Sequence, residues 1–255
     1  TDYHSHLGTE NGGLAVCGAK GFYHTIHSIS QAQFKSRFVD DYKEMDGTLG
    51  IGAIDDDAPQ PLIIRSKFGT FAIAATGQVS NKKALMSGLL DQCDSFSEMT
   101  LGGINTVELV SKLISRGSDI ADGIVRMQEA IEGSICTLIM TAEGIYAARD
   151  RYGRFPLTIG ERIGGPGMAV ATEASAFPNL GYQLRHFLGP GEIVFLSADG
   201  LKVLRPPRER RQVCAFLWIY TGYPASIYDG IGVEMARERC GRAIARNDDV
   251  EADFV

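Results

Sequence analysis

The sequence predicts an α+β fold, with helices grouped between runs of antiparallel strands. Two observations carry this. Short apolar segments follow one another across tight turns, and such neighbours pair antiparallel because parallel ones need a long crossover. The amphipathic patterns between Asn81 and Ile131 also lie together, instead of alternating one by one with strands.

Taken in order, Ser30 to Glu44 reads as a helix, because Phe34, Phe38 and Tyr42 recur at four-residue spacing. Strands are expected at Thr48–Ile54, Pro61–Arg65 and Thr70–Ala75, the last two hinged at Phe68-Gly69. Asn81 stands where a cap would open a helix carrying Leu85, Leu89 and Cys93. Asn105-Thr-Val-Glu108 has the spacing of a capping box for a helix burying Leu109 and Leu113. A third helix starts at Asp119, with Ile120, Ile124, Met127 and Ile131 on one stripe. Strands return at Ile135–Thr141, Ile145–Arg149, Leu157–Gly160 and Met168–Thr172. The hairpin Glu192–Leu196/Leu201–Leu204, turned at Asp199-Gly200, completes the set. From Ser226 a further helix (Val233, Ala236, Cys240, Ile244) reads as the start of a second domain.

The bulk numbers bound the function. At 255 residues the chain can bury a full core, and 44% hydrophobic with 22% charged residues is ordinary for a globular protein. A net charge of −6 opposes binding to nucleic acid or to an anionic membrane, which needs a basic surface. The run Arg205-Pro-Pro-Arg-Glu-Arg-Arg211 departs from that balance, and its prolines suggest a solvated connector. Five scattered cysteines without a C-x-x-C spacing fit a reducing cytoplasm better than a disulfide scaffold or a zinc site. Thr1-Asp2 at the start and the alternating Val250-x-Ala252-x-Phe254 at the end read as cut ends of a longer chain.

Spacing alone yields no active site. His4-x-His6 would need further metal ligands, and Asp55-Asp56-Asp57 runs into Ala-Pro-Gln-Pro, the composition of a surface turn. Gly164-Gly-Pro-Gly167 lacks the Lys and Ser/Thr of a phosphate loop. Asp248-Asp249 lacks the glycine-rich cradle of a phosphoribosyl pyrophosphate (PRPP) site and reads as a helix end.

Motifs in sequence carry more. His6-Leu-Gly-Thr-Glu-Asn-Gly-Gly-Leu14, Gly133-Ser-Ile-Cys-Thr-Leu-Ile-Met-Thr141 and Ala148-Arg-Asp-Arg-Tyr-Gly-Arg-Phe-Pro-Leu157 resemble the glutaminase domain of amidophosphoribosyltransferases. So do Val170-Ala-Thr-Glu-Ala-Ser-Ala-Phe177 and Gly189-Pro-Gly-Glu192. Cys214-Ala-Phe-Leu-Trp-Ile-Tyr220, Gly222-Tyr-Pro-Ala-Ser226 and Asp229-Gly-Ile231 resemble the segment joining that domain to the phosphoribosyltransferase domain. The resemblance implies a four-layer αββα sandwich of the N-terminal-nucleophile type over 1–213. Residues 214–255 would then be a linker and the beginning of an α/β phosphoribosyltransferase domain.

The family reaction joins glutamine-derived ammonia to PRPP, giving 5-phosphoribosylamine for purine synthesis. Its nucleophile is an N-terminal Cys, whose place would lie upstream of Thr1; Cys17 does not occupy it. The pocket positions that can be matched are mostly substituted. The Arg that clamps the glutamine carboxylate is Asp55, and the Asn of the oxyanion turn is Thr76, followed by the retained Gly77. The acidic partner of the substrate amino group is Thr106, and the Arg of the early turn is Leu7. The resemblance therefore implies a glutaminase domain that keeps its fold and is a poor fit for glutamine. Magnesium and PRPP belong to the transferase domain, and a homotetramer or dimer is the family habit. Some members also bind an iron–sulfur cluster through a Cys at the place of Cys214, which here reads as a core cysteine. A working amidotransferase with an upstream Cys, a nucleophilic Thr1, and a non-catalytic ligand-sensing module remain the alternatives.

Overall fold

The structure, a computed structural model, describes residues 10–92, 94–100 and 103–250. His4, His6, Leu7 and Cys93 lie outside the described residues. In chain order the elements begin with β1 (Asn11–Gly18), β2 (Gly21–Ser28), α1 (Phe34–Arg37), α2 (Asp41–Glu44), β3 (Leu49–Asp55), β4 (Leu62–Ser66) and β5 (Gly69–Val79). There follow α3 (Lys82–Leu90), β6 (Met99–Thr100), β7 (Gly103–Ile104), α4 (Thr106–Ile114), α5 (Ile120–Ala130), β8 (Gly133–Met140) and β9 (Ile145–Ala148). The remainder comprises β10 (Thr158–Arg162), β11 (Met168–Ala171), α6 (Ala176–Asn179), β12 (Tyr182–Phe187), β13 (Ile193–Ser197) and β14 (Gly200–Arg205). The chain then forms a π-helical turn at Leu217–Thr221, the short pair β15 (Ile227–Tyr228) and β16 (Ile231–Gly232), and α7 (Val233–Ala245).

Two compact units divide these elements: residues 1–157 with 188–212, and residues 158–187 with 213–255. The first is built on a six-stranded antiparallel sheet of order β14-β13-β9-β8-β5-β4 and a three-stranded sheet of order β2-β1-β3. The period-two alternation of β5 shows how the layers form. Phe71, Ile73 and Ala75 face a core shared with Leu89 of α3, Leu109 and Val110 of α4, and Ile124 and Met127 of α5. Ala72 and Ala74 point the opposite way, to Ala15 and Cys17 of β1, Ile51 of β3 and Met140 of β8. On the far side of the small sheet, Leu14 and Ile54 pack against Ile29, Phe34 and Phe38. The order is helices, sheet, sheet, helices: four layers, each sheet covered on both faces.

The second unit holds the antiparallel sheet β11-β10-β12 and the segment from Val213 onward. Phe177 of α6 lies over Gly160 of β10, where an added Cβ would come within 3.0 Å of its ring. Trp218, Tyr228 and Val233 form a separate small core.

Several local expectations are corrected. Ser30–Glu44 is not one helix but two single turns, because Gln33 and Asp40 provide no capping bond and Tyr42 is 76% exposed, with no core to hold it. Asn105 does cap α4, accepting from Val107 N, but Glu108 does not complete the box. Its carboxylate accepts instead from Ser97 N and Glu98 N, tying the β6 approach to the helix. Asn81 precedes α3 without a side-chain cap bond; it donates to Ala130 O and accepts from Glu132 N, linking α3 to the end of α5.

Candidate functional site

The matched pocket positions lie in three elements of the first unit: Asp55 closes β3, Thr76 and Gly77 lie inside β5, and Thr106 opens α4. The loop 55–60 stitches these elements together. Asp55 Oδ1 accepts from Asp57 N at 2.7 Å and Ala58 N at 2.8 Å, the arrangement of an Asx turn. Its Oδ2 accepts from Gln60 Nε2 at 2.7 Å. Gln60, 2% exposed, also donates to Ala75 O and accepts from Ala75 N, at 2.9 and 2.8 Å. Asn105, 1% exposed, donates to Pro59 O at 2.9 Å while capping α4. Thus Gln60 joins β3 to the residue before Thr76, and Asn105, the residue before Thr106, joins the loop to the first turn of α4.

Glycines permit this closeness. An added Cβ at Gly13 of β1 would fall 1.9 Å from Gln60 O. Gly77 has φ +130, and its Cβ would fall 1.9 Å from Ser134 O of β8. Gly77 is therefore required by its backbone conformation and by the neighbouring strand, whatever chemistry the pocket performs.

Sequence reasoning placed Asp55 at a strand end and Asn105 at the cap of α4, but missed Gln60 and the bond from Asn105 to Pro59 O. The available signal was the Pro59-Gln60-Pro61 run ahead of an apolar strand; read as a surface turn, it hid a buried amide. The network runs through Gln60 and Asn105, not through the hydroxyls of Thr76 and Thr106.

No described cysteine of this unit is poised as a nucleophile. Cys136, paired in register with Thr76, is fully buried; desolvation, then the Asp150 charge, push its thiol up to about 12. Burial also raises Cys17. A thiol held protonated at neutral pH is a poor attacking group. Cys214, in the second unit, is exposed and not a core residue, because it precedes the turn in which Trp218 takes the buried place. Among the described residues no group of three or more His, Cys, Asp or Glu could hold a metal ion.

Other motif residues are structural anchors. Arg149, buried, donates to Phe155 O, Gly153 O and Leu188 O, and Asp150 accepts from Tyr152 N, Arg154 N and Phe155 N. In the second unit, Glu173 of the Val170–Phe177 motif accepts from Tyr228 OH at 2.5 Å and from Tyr223 N at 3.3 Å. Burial, then the Glu173 carboxylate, raise the Tyr228 hydroxyl above its ordinary range, so it remains a donor. Arg237 donates to Trp218 O, Tyr220 O and Gly222 O, binding α7 to the π-helical turn.

Residues 49–179, which contain Asp55, Thr76, Gly77 and Thr106, match the glutamine amidotransferase domain family. The chain belongs to that family. Among relatives of this glutamine amidotransferase domain, the amidophosphoribosyltransferase of Archaeoglobus fulgidus is 32% identical over 77% of this chain and 42% of its own length. That of Synechocystis is 27% identical over 98% of this chain and 52% of its own. Two solved structures cover 99% of the chain. One, described as the allosteric regulatory enzyme of purine biosynthesis, has a TM-score of 0.87 at 27% identity and is covered over 55% of its chain. The other, the Bacillus subtilis glutamine PRPP amidotransferase complexed with ADP and GMP, has a TM-score of 0.86 at 28% identity and 56% coverage. The chain is amidophosphoribosyltransferase-like and has the N-terminal-nucleophile amidotransferase fold. It spans about half the length of these relatives. Among the described residues no helix is long and apolar enough to cross a membrane.

Proposed function

We propose that this chain is the glutaminase-type part of an amidophosphoribosyltransferase-like protein of purine biosynthesis, in which the domain does not hydrolyse glutamine. Its role is structural, packing against the transferase part, or the guiding of ammonia. The observation that carries this reading is Asp55: where the family places an arginine for the glutamine carboxylate, this chain has an anion, and that anion is saturated by its own loop.

The energetics favour loss of substrate. Two like unit charges ~4 Å apart cost about 4 kcal/mol at an effective dielectric of ~20, or roughly a thousandfold in affinity. Thr76 in place of an amide donor removes a further factor of about 10²–10³ in rate by the usual worth of one oxyanion contact. Neither Asp55 nor the 55–60 loop can move aside cheaply, since Gln60 is bonded to both strands, at Asp55 of β3 and Ala75 of β5.

In this reading residues 214–255 begin the phosphoribosyltransferase domain, which holds PRPP and its magnesium; no magnesium is assigned to the residues described. The protein is cytoplasmic and a homo-oligomer. The exposed side chains of Phe216, Ile219, Tyr220 and Tyr223 support an apolar face in this segment for further chain or for another copy to cover.

The deciding experiment is glutamate release from glutamine by the full-length protein, with and without PRPP. The expected result is no release above background, with ammonia able to replace glutamine in consuming PRPP. Sustained glutamate release stimulated by PRPP would show a live amidotransferase and sink the reading.

A further inference from the structure

The basic run 205–211 has a structure and a chemistry that the glutaminase reading does not use. Its prolines are exposed, as a solvated connector requires, but its backbone is tethered to the rest of the unit. Arg208 N donates to Pro190 O at 2.7 Å and Gln212 N donates to Tyr152 O at 2.9 Å, so the run lies against the turn at Asp150–Gly153. This brings Arg210 to 5.3 Å from the Tyr152 ring centroid, beside Arg151 at 5.4 Å and Arg154 at 5.2 Å. Arg205, at the end of β14, lies within electrostatic reach of Arg208 and of Arg151.

The cluster's charge is poorly answered. Glu129 accepts from Arg208 Nη2 at 3.1 Å but is itself half exposed. Arg154 Nη1 reaches Gly133 O and Ser134 Oγ only at 3.4 Å. Arg205 Nη1 and Arg208 Nε are buried atoms with no hydrogen-bond partner among the described residues. Burial first, then the charges of Arg208 and Arg151, lower the proton affinity of Arg205, with Glu129 opposing. Buried donors without acceptors are costly, and guanidinium groups crowded together add to the cost. Both costs vanish when a multivalent anion sits among them.

We propose that Arg151, Arg154, Arg205, Arg208 and Arg210 around Tyr152 form a binding site for a small phosphate-bearing anion. Planar guanidinium forks match the oxygens of phosphate in paired hydrogen bonds, and several converging forks suit a di- or polyphosphate. The tyrosine ring is already faced by three guanidinium groups, so it orders the arginines and does not stack a base. A polymer is the wrong ligand, because the chain's net charge of −6 provides no extended basic surface beyond the cluster. The site neither uses Asp55 nor depends on whether glutamine is hydrolysed.

The test is calorimetric titration and thermal unfolding of the full chain with inorganic pyrophosphate, against sodium citrate and sodium chloride at matched ionic strength. Saturable binding of pyrophosphate with a rise in Tm is expected, exceeding both controls. R151Q and R210Q alter partly or fully exposed side chains, and each should weaken binding by about tenfold, the worth of one charge-assisted contact. Unchanged near-ultraviolet circular dichroism would show that these variants fold. R205Q, on a separate strand, should weaken binding likewise. Equal stabilisation by citrate overturns the phosphate assignment, and equal stabilisation by chloride overturns the site. Pyrophosphate binding that survives all three substitutions in folded protein also overturns it.

Discussion

The Asp55 loop and the arginine cluster around Tyr152 lie in the same unit and carry opposite charges in opposite states of completion. Asp55 is one carboxylate with three short hydrogen bonds, two of them from its own backbone turn. The arginine cluster sets three guanidinium groups on one ring, and beside them two buried nitrogens, Arg205 Nη1 and Arg208 Nε, have no acceptor among the described residues. The difference teaches that a charge can be answered entirely within its own loop, as at Asp55, or left with unanswered donors, as at Arg205 and Arg208 among the described residues.

The largest expected effect tests the closed side. Gln60→Ala removes both bonds to Ala75 and the bond to Asp55, leaving a buried backbone N–H and C=O unsatisfied. Each such orphan costs roughly 1–3 kcal/mol, so a loss of about 3 kcal/mol is expected in urea unfolding. A loss below about 0.5 kcal/mol, the size of an ordinary surface change, would mean that the loop is not held by Gln60 and that the pocket can open.

The contrast sharpens with an effect of opposite sign. Arg205→Gln removes one of the crowded charges while keeping much of the side chain's packing. At low salt the variant should be more stable than the parent by roughly 0.5 kcal/mol, and the gain should shrink as salt screens the remaining charges. Destabilisation at every salt concentration would show that Arg205 is already compensated, which removes the difference between the two regions.

How much of this was legible in the sequence depends on how a side chain makes its contacts. β5 was legible because Phe71, Ile73 and Ala75 serve one core while Ala72 and Ala74 serve another, so the strand reads as a continuous apolar run. β2 was not, since Gly21–Ser28 lies at a sheet edge and fully buries none of its residues, which leaves no periodic apolar signal. Phe34 and Phe38 gave a true helical spacing, but Tyr42 extended it past the point where any core exists. At the site, resemblance located Asp55, Thr76, Gly77 and Thr106. Gln60 and the bond from Asn105 to Pro59 O stayed hidden because an amide reaching a strand or loop far away in sequence obeys no period. The arginine cluster stayed hidden for the same reason: Tyr152 and Arg210 are brought together by a backbone bond from Gln212.

Asp122 repeats the Asp55 arrangement on the surface of α5 and offers the smallest and cleanest measurement. Its Oδ2 accepts from Ser118 N at 2.8 Å and from Arg126 Nε at 2.8 Å, and Ser118 Oγ lies 3.2 Å away. The backbone hydrogen bond from Ser118, then the one from Arg126, hold its carboxyl below the ordinary carboxylate value of 3.8, against a smaller opposing desolvation. A carboxylate depressed in the folded state contributes stability that is complete above its unfolded value and is lost as pH falls through its folded value. Asp122→Asn should therefore lower the urea midpoint slightly at pH 7, and the gap to the parent should narrow on acidification below the ordinary carboxylate range. A gap that stays constant down to full protonation would show that the carboxylate's charge, as distinct from its shape, contributes nothing. Charge answered locally by backbone donors would then be a weaker criterion for a closed site than Asp55 suggests.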